Sequence, residues 1–310
     1  MARVSPVRRG TRSDAPAIAQ RVAVQLARDA SNEALISTHF SRPEFETALA
    51  NAVTALWVDE SHGRIRGHLY GANFDDPLRG RQTWTGPDGY SFEIPDVLDN
   101  LCEHAYREWR DQGSSAHLVW AAAVGATMTW LERGYAIIGV RGARALEGAP
   151  SLAWPEGHRV RRGTRADLAT ALAFDRQIDL AQGVDHDALT LEQREASEAD
   201  VIELLEDPEC HYYLLEVDGR PVAQCVTFPL PALRGNFDAT VYLSSLAVHP
   251  AWQRRGLASA LVKEVLRAAV AEGHRYGEAR WHADNVAATA FWSSVGFRPT
   301  YLQLRRSLRD

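Results

Sequence analysis

The residues in this sequence best equipped for chemistry are Gln253-Arg254-Arg255-Gly256-Leu257-Ala258-Ser259. They follow an apolar strand pattern ending at Val248 and open a helical pattern that runs to Glu272. The first N–H groups of a helix lack intrahelical partners, and the macrodipole puts partial positive charge on them. Gly256 lets a ligand approach the backbone, Ala258 and Ser259 keep the next turn small, and the two arginines add full charge. A pyrophosphate suits such a place.

The elements around the loop are readable from period. Ala239 to Val248 reads as a strand. Leu257, Leu261, Val265 and Ala269 fall on one face of the next helix, with Lys263, Glu264 and Arg267 on the other, as in a helix packed on a sheet. Tyr276 to His282 reads as a further strand, and Asn285 stands where it would cap the helix that follows. Upstream, Asp218-Gly219 marks a hairpin turn, and Pro229-Leu230-Pro231 is expected to end the strand before it. Residues Phe297 to Arg305 are expected to close the sheet.

Together these residues resemble the acyl-CoA-binding signature of the GNAT acetyltransferase superfamily. The carriers are Leu246-Ala247-Val248-His249-Pro250, then Gln253-x-x-Gly256-x-Ala258, then Asn285, Ala288 and Phe291-Trp292-Ser293-Ser294-Val295-Gly296-Phe297. Surface arginines on an ordinary strand–loop–helix would explain neither the loop glycine nor the downstream block. The resemblance implies acetyl-CoA as cosubstrate. It gives the phosphates to Gln253, Arg254, Arg255, Gly256, Leu257, Ala258 and Ser259. It gives the pantetheine arm to the strand end Leu246, Ala247 and Val248, with Asn285 and Trp292 beside it.

Acetyl transfer to an amine needs a proton acceptor for the amine, a donor for the carbonyl oxygen, and stabilisation of the departing thiolate. The N–H of Val248 is the candidate oxygen donor. His282 leads the candidate bases, ahead of Glu216, His249 and Asp284, because a histidine can titrate near neutrality. Many GNAT enzymes place a tyrosine acid where this chain has Trp292, whose indole donates a hydrogen bond but is no usable acid. Tyr242, Tyr301 and Ser293 are the substitutes. Tyr242 and Ser244 share one strand face by period, Leu243 and Ser245 the other, unless a bulge shifts the register. Asp179, Asp185, His186 and Asp187 are possible contacts to a cationic acceptor, though a solvated acidic loop is the stronger reading of them.

The rest of the sequence narrows the class. A net charge of −6 without a basic tail argues against nucleic acid as the main partner. No apolar run has the length of a membrane span, and the N-terminal stretch lacks the apolar core of a secretory signal. Cys102, Cys210 and Cys225 are scattered, with no spacing for a disulfide framework or a metal site, and a cytoplasmic setting is expected.

Val7-Arg8-Arg9-Gly10-Thr11-Arg12-Ser13-Asp14 returns as Val160-Arg161-Arg162-Gly163-Thr164-Arg165-Ala166-Asp167. Trp120 and Trp130 through Tyr135 likewise parallel Trp281 and Trp292 through Phe297. The expected fold is α/β with mixed sheets: two tandem GNAT-like domains, residues 1–150 and 156–310, joined through the Gly- and Pro-containing stretch near Leu146 to Glu156. Asp14 and Asp167 are expected as helix N-caps. The first copy carries Asp75 to Asp96 where the phosphate loop belongs, with an acidic helix start at Asp96, and reads as a degenerate copy. This layout resembles two-domain GNAT proteins of the mycothiol synthase type. The expected function is acetyl-CoA-dependent N-acetyl transfer to a small-molecule amine. The alternative is a GNAT-fold protein that binds acyl-CoA or a metabolite without turnover.

Overall fold

The computed structural model describes residues 7–40, 42–51, 56–76, 79–148, 154–181, 189–231 and 237–309. The mixed α/β fold divides into two compact units. One comprises Met1–Arg141, Ala232–Phe237 and Pro299–Asp310, the other Gly142–Pro231 and Asp238–Arg298. Among the described residues no helix is long and apolar enough to cross a membrane.

In the first unit, β1 (Val7–Arg9) leads to α1 (Ala15–Asn32) and α2 (Arg42–Asn51). Ile18, Val22 and Leu26 form the buried stripe of α1 and pack on β2 (Leu56–Ser61) and β3 (Arg64–Tyr70), which make a hairpin. Past Gly71 the chain continues as β4 (Ala72–Asp76), antiparallel to β5 (Gly80–Thr85). Then β6 (Tyr90–Phe92) returns to β3, whereas β5 pairs in parallel with β7 (Ala116–Ala122). Between them α3 (Pro95–Asp111) buries Leu98, Leu101, Ala105 and Trp109 at helical spacing, against Trp130 of α4 (Thr127–Leu131) and Tyr135. β8 (Ala136–Ala145) follows.

Asp29 continues the buried face of α1 and is only 4% exposed. Burial lifts its carboxyl to about 7, a rise that nearby Arg28 only weakly opposes. The folded state thus holds this proton more tightly than the unfolded chain, so the contribution of Asp29 to stability falls as pH rises from about 4 to 7. Asp29→Asn should raise stability at pH 8 by about 2 kcal/mol or more and leave it little changed near pH 4. Urea denaturation at the two pH values checks this, and an equal effect at both would contradict it.

The second unit begins with β9 (His158–Arg162), α5 (Leu168–Ala181) and α6 (Leu191–Glu206). β10 (His211–Val217) and β11 (Arg220–Leu230) are joined by Asp218-Gly219, whose φ values of 50° and 75° fit a type I′ hairpin turn. As expected, β11 ends within Pro229-Leu230-Pro231, at Leu230, with the first two of these residues still in the strand. Both residues still pair with β12 (Thr240–Val248), and β10 stops at the level of Thr227, so no neighbour needs the missing proline N–H. α7 (Leu257–Ala271) buries Leu257, Leu261, Val265 and Ala269 and packs on β11 and β12. β13 (Tyr276–His282) and α8 (Val286–Ser294) follow, and the strand order is β13-β12-β11-β10-β9.

The last strand departs from expectation. β14 (Arg298–Ser307) belongs from Pro299 onward to the first unit, antiparallel to β7, and buries Tyr301 and Leu304 there, with Leu308 buried just past its end. The second unit takes instead the end of β8 beside β13, where Gly142 lies so close to Trp281 that a Cβ would stand 2.5 Å from the indole.

The repeated octapeptide has a physical reason. Arg8 donates to both carboxylate oxygens of Asp14 at 2.8 Å and also to Glu60 of β2. Arg161 does the same to Asp167, at 2.8 and 2.6 Å, and to Glu216 of β10. Asp14 does stand at the N-cap of α1, as expected, but its side chain makes no cap bond to that helix. Asp14 and Asp167 accept instead the backbone N–H of Thr11 and Thr164, three residues earlier. Each copy thereby clamps its first strand to a neighbouring strand and to the turn before the helix, with planar guanidinium–carboxylate pairs.

Candidate functional site

β12 and β13 run parallel and stay in register only from Thr240–Leu243 against Tyr276–Ala279. Both strands continue, to Val248 and His282, without further pairing to each other. On its other side β12 stays on β11, with Leu243 opposite Thr227 and Ser245 opposite Val226. Ser244 is therefore the extra residue of a β-bulge, which bends β12 away from β13 and shifts the side-chain alternation read from the sequence. The N–H of His249 donates to Val222 on β11. By alternation, the backbone groups of Leu246 and Val248 point to the opened side, where no strand among the described residues meets them.

A cavity of about 520 Å³ fills this opening. Arg254 and Gly256 take left-handed φ values of 59° and 79° in the loop that enters α7. Ala260 makes the first bond into the helix, to the Gly256 carbonyl at 3.0 Å. The N–H groups of Leu257, Ala258 and Ser259 precede it, and these residues line the cavity.

The structure gathers most of the residues singled out above. Leu246, Ala247, Val248, Gln253, Arg254, Gly256, Leu257, Ala258, Ser259, Asn285 and Trp292 line the one cavity, together with His282. Arg255 and Tyr242 do not line it. Arg255 lies over the Trp252 ring, 4.7 Å from its centroid. Tyr242 packs edge-on against Phe228 under the Arg280 guanidinium. Gln253 turns its side chain back, with Nε2 donating to the Val248 carbonyl at 3.1 Å. Asn285 Oδ1 accepts the Ala288 N–H at 2.9 Å and so caps α8. Trp292, 6% exposed, packs against the rings of Trp281, Phe291 and Phe297 as an apolar wall.

The remaining acid and base candidates lie elsewhere. Burial pushes the Glu216 carboxyl up, but Arg159 and Arg161 overcome this and hold it below the ordinary range, which makes it a poor base. His249 Nδ1 accepts the Ala251 N–H, and Tyr301 is packed with Ile36, Trp120 and Ala122 in the first unit. Asp179, Asp284 and Ser293 are not among the lining residues. Asp185, His186 and Asp187 lie outside the described residues. Sequence reasoning missed Gln177 and Ile178 of α5, Trp252, and Arg280 and Trp281 of β13, all of which line the cavity, and it named Ser244 on a strand face without fixing the bulge there. Only the bulge had a signal, in the strand's own loss of alternation at Ser244-Ser245.

Residues 180–297 match the model of the Acetyltransferase (GNAT) family. A GCN5-related N-acetyltransferase from Sphaerobacter thermophilus is similar in structure at 19% identity, over 98% of this chain and 96% of its own, with a TM-score of 0.65. A tandem GNAT protein from the clavulanic acid biosynthesis pathway is similar at 15% identity, over 98% of both chains, with a TM-score of 0.57. This chain is a tandem GNAT-fold protein. No curated protein matches it in sequence.

The first unit is built differently at the corresponding place. Its counterpart of β12 is broken into β5 and β6, paired to β7 and β3 respectively. At the start of the following helix α3, Asp96 stands in the first turn, and Arg133 donates to the Pro95 carbonyl at 2.9 Å and to Asp99 at 2.7 Å. Tyr90 of β6 meets Trp130 edge-on, 5.2 Å between centroids, so aromatic rings occupy the interior there.

Proposed function

We propose that the second GNAT unit binds acetyl-CoA in this cavity and transfers the acetyl group to the amine of a small molecule. One observation carries the reading: an unpaired strand edge and a left-handed loop entering a helix N-terminus share a single cavity of about 520 Å³. Acetyl-CoA supplies an activated thioester. The N–H groups of Leu257, Ala258 and Ser259 hold the phosphates, aided by the α7 dipole and Arg254. The open edge of Leu246 and Val248 holds the arm, and the Val248 N–H donates to the carbonyl oxygen as it gains charge. His282 takes the amine proton, directly or through water. The departing thiolate resembles a free thiol with a pKa of about 8.5, so it can leave beside Trp292 without a dedicated acid. The acidic start of α3 leaves the first unit without a phosphate site. Calorimetric titration with acetyl-CoA should give one site per chain. Two sites would assign the first unit a cofactor of its own, and no binding would overturn the proposal.

Trp292 favours a second reading, acyl-CoA binding without turnover. Release of CoA thiol with any member of a broad amine panel would exclude it.

A further inference from the structure

The Val248 carbonyl is engaged from two directions. Gln177 of α5 donates from Nε2 at 2.9 Å, and Gln253 of the loop donates from its own Nε2 at 3.1 Å. A carbonyl oxygen has two lone pairs, and both are taken. The same peptide unit is held at its other end, where the His249 N–H bonds to Val222. This plane is fixed on both sides, and with it the direction of the neighbouring strand edge. A second consequence concerns acceptors. The open edge of β12 presents the carbonyls of Leu246 and Val248, and the second of these has no capacity left for a ligand amide.

Gln177 supplies the replacement. Its amide orientation follows from chemistry, because a carbonyl only accepts, so the atom facing Val248 is the nitrogen. The other end of the carboxamide, Oε1, is a strong acceptor on a side chain that lines the cavity. A pantetheine arm carries two amide N–H groups, each needing an acceptor once removed from water. We propose that Gln177 is a side-chain site for the arm: Nε2 pins the Val248 carbonyl, and Oε1 accepts an amide N–H of the arm in place of that carbonyl. Gln177 thereby ties α5 to the cofactor strand. The inference rests on the acyl-CoA reading above.

The test compares two ligands on wild type and Gln177→Met by calorimetry. One ligand is acetyl-CoA. The other is adenosine 3′,5′-bisphosphate, which has the nucleotide end but no arm. The substitution keeps length and volume and removes both hydrogen-bonding ends. It should weaken acetyl-CoA about tenfold, the worth of one buried hydrogen bond, and leave the bisphosphate unchanged. Unchanged binding of both ligands would overturn the proposal. So would equal weakening of both, which would mean that Gln177 acts through the loop or the fold. If wild type binds neither ligand, the acyl-CoA reading itself has failed, a result distinct from either outcome.

Discussion

Gly256→Asp is expected to lower the affinity for acetyl-CoA by about a hundredfold or more. Gly256 sits at the N-cap of α7 with φ 79°, and a Cβ added there meets nothing within 4 Å. The substitution therefore introduces no clash, only backbone strain of about 1 kcal/mol and a carboxylate beside the donors assigned to the phosphates. Like-charge repulsion in a partly enclosed site removes the electrostatic gain of the helix end. Gly256→Ala separates the two effects. It carries the same left-handed strain without the charge and should weaken binding by less than about tenfold. Both variants should unfold within a few degrees of wild type. If Gly256→Asp binds acetyl-CoA normally, the loop is not the phosphate site.

The other large effect concerns folding. A chain ending at Arg298 should lose the cooperative unfolding of the first unit. It lacks Tyr301–Ser307, which pair with Ala122–Ala116 of β7. It also lacks Tyr301, Leu304 and Leu308, which are 1%, 0% and 4% exposed. Burying three such side chains contributes about 6 kcal/mol, comparable with the whole stability of an ordinary domain at about 5 to 15 kcal/mol. Calorimetric melting and near-ultraviolet circular dichroism of the aromatic-rich first unit report the loss. An unchanged melting profile would show that β14 is dispensable.

The parts of this fold that were legible in the sequence are local. The α7 stripe, the Asp218-Gly219 turn and the glycine-bearing loop each depend on residues a few positions apart, and each is where its pattern puts it. What was hidden depends on distant partners. Nothing near Gln177 in sequence reveals that its amide meets Val248. Glu216 read as a candidate base because the arginines that neutralise it lie more than fifty residues away, on β9. Tyr301 read as part of the second half because strand patterns show which face is apolar, not which sheet receives it. The two aspartates of the repeat were correctly placed at the helix starts, but spacing alone cannot show that their carboxylates are drawn to an arginine and not to the helix.

The ownership of β14 also bears on how the protein is made. A ribosome delivers β7 well before it delivers Pro299–Asp310, because every residue of the second unit comes between them. At about 5 to 20 residues per second that interval is on the order of 10 s or longer. Through it, the nascent N-terminal half holds an unfinished sheet whose open strand edge is a template for pairing with other chains. Each half cannot mature in turn as it emerges; the first to be translated is the last to be completed.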